Sequence, residues 1–305
     1  MYTKIFVNTL LITFCFPFLA FGQVGDALDS LGGDLSRNLP IAELTEVEAV
    51  TILNDFLNTE VAPPHHGLGS RFQYIYHQLA SLEKKYPNKI NALGSTLLRN
   101  SNLRKYHHIA LKAYYFARQD DKDHVLNVMV DFISKNLGAK DYDTHEAVIS
   151  AMQVINDIST NPEDFQQGKI KPDTIEKVKN LLIGNDFMNG KSWLNRFGMG
   201  KEKYADENEF ARFKETNPPE REWVKARDIY LHATELTGMA SDTMFTLYNI
   251  YYATGDKDIQ KYVDQAAGNS SDQALVSSYQ FAQTENYAKE LFSKTFNLKI
   301  DEIGK

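Results

Sequence analysis

Asp143-Thr-His-Glu-Ala-Val-Ile-Ser-Ala-Met-Gln-Val-Ile-Asn-Asp-Ile158 sets Val148, Ala151, Met152, Ile155 and Ile158 three or four residues apart. That spacing gathers all five on one face of an α-helix and would scatter them over both faces of a strand. The same period recurs on either side. Thr45-Glu-Val-Glu48 reads as a capping box that opens a helix to about Asn58. Ser70 caps a second, stopped at Pro87, and stretches 88–99 and 101–118 follow. Residues 121–137 are apolar on several faces (Val125, Leu126, Met129, Val130, Ile133), which predicts the central buried helix, ended by Gly138. Ile175, Val178, Leu181 and Leu182 form a shorter stripe. Trp223 to Thr237 forms one more helix, Met244 to Tyr251 another, and two or three carry the chain to about Phe296. No run alternates as a strand does. The expected fold is all-α, built from stacked antiparallel helical hairpins in an α-solenoid-like superhelix.

Ahead of these helices, Lys4 precedes an apolar run from Ile5 to Phe21 that ends in Ala20-Phe21-Gly22. A short basic start, an apolar core and a small-x-small exit make a secretory signal, so residues 1–22 are expected to leave with cleavage before Gln23. The run is broken by Asn8, Thr9, Thr13 and Pro17, and no later stretch is long and apolar enough to span a bilayer. Residues 23–305 are then a single helical domain, periplasmic or extracellular. Its one cysteine, Cys15, lies inside the leader, which excludes disulfides, thiol nucleophiles and cysteine-held metals from the mature chain. Loss of Lys4 takes the net charge of −7 one unit further negative, which argues against nucleic acid as partner.

Leu247-x-x-x-Tyr251-Tyr252-x-x-Gly255-Asp256, with Ala267 beyond it, resembles half of a tetratricopeptide repeat. It departs from that family with Tyr248 and Gln260 where small residues pack helix on helix. The wider piece 242–259 is also similar to a segment of uncharacterised bacterial helical proteins. Both resemblances imply a helical hairpin and carry no activity. From the residues themselves, Gly255 reads as a left-handed cap, and Asp256 or Asp258 opens the next helix.

Three places invite a chemical reading. Pro63-Pro64-His65-His66-Gly67-Leu68-Gly69-Ser70-Arg71 puts two imidazoles and a guanidinium above a helix N-terminus, a setting suited to an anion. Adjacent histidines in an extended segment point apart, so His65 and His66 alone do not chelate, and a solvated loop explains them equally. His107 falls on an apolar stripe with Leu103, Ala110, Leu111 and Tyr114, as a hydrogen-bonded core histidine would. His145-Glu146 begins the zinc-protease pattern, but position 149 is Ile. Gly184 and Gly190-Lys191-Ser192 imitate a phosphate loop with five residues between the glycines instead of four, and after a helix instead of a strand.

The third place is the stretch 184–219, which shows little helical period and reads as an irregular insert. Trp193 and Phe197, four apart with Arg196 beside them, form either a sticky patch for a partner or rings that tuck the insert back onto the core. No catalytic residue, metal ligand set or cofactor motif emerges. The expectation is an exported helical binding or scaffold protein that recognises another envelope or extracellular protein, or an extended ligand. His65, His66, Arg71, Trp193, Arg196 and Phe197 are its candidate contacts. The rival is a metal-dependent or hydrolase-like enzyme, which requires three of the eight histidines to meet at one point.

Overall fold

The computed structural model describes residues 44–59, 71–270 and 272–296. The expected leader and the His65-His66 doublet lie outside them. The described residues hold thirteen α-helices and no strand. The all-α reading holds.

The first helices are α1 (Glu46–Leu57), α2 (Arg71–Lys85), α3 (Ile90–Arg99), α4 (His107–Phe116), α5 (Lys122–Asn136) and α6 (Tyr142–Ser159). Thr45 caps α1 as its sequence requires: its hydroxyl accepts from the Glu48 N–H, and the Glu48 carboxylate reaches back to the Thr45 N–H. Stretch 101–118 is not one helix. Residues Ser101–Tyr106 wind as a 3-10 turn with Leu103 off helical geometry, and α4 begins after it. Gly94 sits where α3 crosses α4, and a Cβ there would meet the backbone of Tyr114 at 2.9 Å. The missing side chain is what lets the two backbones approach.

The central helix is α6, not the expected 121–137. Ala147, Val148, Ala151, Met152, Val154, Ile155 and Ile158 have no exposed surface, because α4, α5 and a later helix pack around them. Within α5, Val125, Leu126, Met129, Val130 and Ile133 are buried, but Asp131 and Ser134-Lys135 reach water on the far side. The many apolar residues of α5 reflect a wide stripe, not burial all round.

After the short α7 (Pro162–Gln166) and α8 (Pro172–Gly184) come α9 (Gly190–Arg196) and α10 (Glu207–Glu215). The stretch 184–219, expected irregular, thus contains two short helices and two 3-10 turns. Then α11 (Glu220–Thr254) runs 35 residues without a break. At 1.5 Å per residue it is about 52 Å long. It packs on α6, α7, α9, α10 and both following helices, α12 (Lys257–Asn269) and α13 (Gln273–Phe296). The break expected between Thr237 and Met244 is simply spanned: Gly238 is exposed and costs about 1 kcal/mol in helix propensity, which the buried residues on both sides outweigh.

The hairpin at 247–267 is present. Gly255 takes φ 72° and its N–H bonds the Tyr251 carbonyl, while the Asp256 carboxylate accepts from the N–H groups of Asp258 and Ile259. Gly255→Ala is expected to cost about 1 kcal/mol, since any Cβ is strained in the left-handed region. A urea titration checks this. An unchanged midpoint would mean the hairpin closes some other way.

Candidate functional site

Where α6 begins beside α11, two histidines meet. His145 Nδ1 lies 2.7 Å from His232 Nε2, and the rings stack at 4.9 Å, 13° from parallel. Both are buried, His145 fully. His145 is at a core position because it shares the stripe of Val148, Met152 and Ile155. His232 lies between Ile229, Ala233 and Leu236 on the inner side of α11.

The tautomers follow from one neighbour. His145 Nε2 is 2.8 Å from the Ala139 carbonyl, which only accepts, so that nitrogen carries the proton. Neutral His145 therefore offers a lone pair at Nδ1, and His232 Nε2–H donates to it. This leaves the His232 Nδ1 lone pair facing outward, with the Glu235 carboxylate at 3.9 Å. Tyr142 stacks on His232 at 4.2 Å, and Phe197 meets His145 edge to face at 5.3 Å. Burial lowers the pKa of both imidazoles. His232 falls to about 4, with His145 beside it as the second cause. For His145 the Ala139 carbonyl and Asp141 work against the shift.

Outside this pair, Tyr142 is 42% exposed and forms one wall of an open cleft of about 520 Å³. Glu202, Arg221, Val224, Lys225, Asp228 and Ile229 complete its lining. Asp228 is paired with Arg227 at 2.8 Å. Among the described residues, Arg221 and Lys225, one helical turn apart, form no ion pair.

The residues singled out from the sequence fall elsewhere. Trp193 and Phe197 are fully buried, so of the two sequence readings it is the rings tucked back onto the core that the structure holds. The Trp193 indole stacks on Phe187 at 3.8 Å and donates to its carbonyl at 2.8 Å, with Phe197 on its other side at 5.9 Å. These rings fasten the stretch to α11. Arg196 is exposed, on the other side of the same short helix, α9. Arg71 opens α2, and His65 and His66 are not among the described residues.

Of the other histidines, His107 bonds the Asn100 carbonyl at 3.3 Å, His124 bonds Tyr114, and His108 faces Glu146 at 3.8 Å. No group of three metal-ligating side chains converges among the described residues. Sequence reasoning missed the His145–His232 pair and the cleft. Position 145 on the apolar stripe was the available signal, whereas its partner, 87 residues on, was not.

Comparison with known proteins gives no match to any family model, curated protein or solved structure.

Proposed function

We propose that this chain is a binding protein that works after export and recognises an extended segment of another protein. The observation that carries the reading is the cleft beside the first turns of α11. It is open along one side, whereas small-molecule sites enclose most of their ligand. Its lining joins an exposed tyrosine face and the apolar Val224 and Ile229 to two cations that form no ion pair among the described residues. Aromatic and arginine side chains at the centre of a mixed surface are the usual anchors of protein contacts. The amino-terminal leader pattern supports an extracytoplasmic setting, and no described helix is long and apolar enough to cross a membrane.

A photo-crosslinking residue in place of Val224, in the full chain expressed in its own cells, tests this. A discrete crosslinked protein band is expected, reduced about tenfold in the Arg221→Glu/Lys225→Glu variant because reversed charges repel the same partner. An equal yield from the charge-reversed variant would remove the cleft as the binding site.

A further inference from the structure

The histidine pair is built in a way that cleft binding does not require. Its hydrogen bonds run in one direction, from His232 to His145 to the Ala139 carbonyl. The pair can therefore take one added proton with its bond intact, but not two. The first goes to His232 Nδ1, the one lone pair not engaged, where Glu235 at 3.9 Å offsets the charge and every existing bond survives. The second must go to His145 Nδ1, whose lone pair holds the bond from His232. Protonation there sets N–H against N–H and breaks the link between α6 and α11.

What rests on that link is the stretch with Phe187, Trp193 and Phe197. Phe197 lies edge to face on His145, and α9 packs against α11. We propose that the His145–His232 pair is an acid-operated latch, which holds residues 187–199 against α6 and α11 at neutral pH and frees them when both imidazoles are protonated.

The charges around the pair do not supply another trigger. Before α6, Asp141 is held by Arg104 at 3.6 Å and by Thr144, and the Lys140 chain runs past Gly198. On α6, Glu146 faces His108. On α11, Asp228 is taken by Arg227, and Glu235 is the carboxylate nearest the pair. From the stretch itself, Arg196 is exposed with its carbonyl close to Gly138, and Glu202 lines the cleft by Tyr142. Burial of both imidazoles, with His232 lowered to about 4, puts the doubly protonated state at about pH 4 and below.

The sequence has two tryptophans, so Trp223→Phe leaves Trp193, at present fully buried, as sole reporter in the full chain. Acidification from about pH 7 to about pH 3 should move its emission to the red while far-UV circular dichroism stays helical. His145→Gln/His232→Gln should abolish the shift. Nitrogen-15 NMR of the histidines in the unsubstituted protein gives a readout that needs no variant: both rings neutral near pH 7, each with its proton on Nε2, and both charged across the emission change. A flat emission profile overturns the latch. So does an unchanged midpoint in the double variant, a loss of helix in step with the emission, or histidines that stay neutral through the transition.

Discussion

Trp193→Ala is expected to destabilise the protein by about 3–5 kcal/mol, the usual loss when a fully buried aromatic is truncated to alanine. The indole has no exposed surface, stacks on Phe187, and satisfies the Phe187 carbonyl. Its removal leaves a cavity, an unstacked ring and an orphaned acceptor together, in a molecule whose total stability is of order 5–15 kcal/mol. Trp193→Phe should cost clearly less, because the stack survives. Arg196→Ala, on the exposed side of the same helix, should stay within about 0.5 kcal/mol. Urea unfolding of the three variants decides the matter. Were Trp193 a surface contact for a partner, its removal would leave stability unchanged and abolish capture instead. A loss below about 1 kcal/mol would therefore contradict the buried stack.

Asp242→Asn works in the opposite direction and should stabilise the protein at neutral pH. Asp242 is half-buried between α11 and α6, where Asn156 Nδ2 donates to it at 3.1 Å and no cation among the described residues forms an ion pair with it. Burial raises its pKa from 3.8 to about 6. Between those values the folded protein holds a proton that the unfolded chain has released, so stability is fullest below 3.8 and falls as pH rises through 6. The gap corresponds to at most about 3 kcal/mol, and because water reaches part of the side chain the expected gain on substitution is about 1–3 kcal/mol. Asparagine still accepts from Asn156 and carries no charge. The gain should disappear below about pH 4, where the aspartic acid is already neutral.

His232 has the reverse sign: with its folded pKa near 4, its contribution is intact above 6.5 and is lost as pH falls toward 4. The two groups oppose each other across the same window. Denaturation midpoints of the unsubstituted protein should be nearly level from pH 6 to 4, whereas Asp242→Asn should slope downward as acid is added. A stabilising effect of the same size at pH 3 and pH 7 would show that the carboxyl does not titrate as its surroundings require.

Fold class was legible in the sequence because helix period, caps and breakers are local. The α6 stripe, the Thr45 capping box and the Gly255 turn are each written within twenty residues of chain, and each stands in the structure as read. Which helix is central was not legible. α5 has more apolar residues in a row than its surroundings use, while α6 becomes central only because α11 closes over it. The continuity of α11 was hidden because the apolar stripes of 223–237 and 244–251 read as two helices, a weak local signal that tertiary packing overrides. For the site, the rings at 187, 193 and 197 were visible as a group, but sequence spacing does not distinguish a surface patch from a clasp. Burial decided between them. The histidine pair depends on a contact between α6 and α11 that no local pattern encodes.

The closure of α6 by α11 also has a consequence during synthesis. Val148, Met152 and Ile155 leave the ribosome long before their cover does, since the residue that meets His145 is 87 positions later. At about 5–20 residues per second that interval is about 4–17 s, in which one side of α6 lacks its native cover. A molecular chaperone that shields this strip would have its need for the chain end abruptly, when α11 emerges.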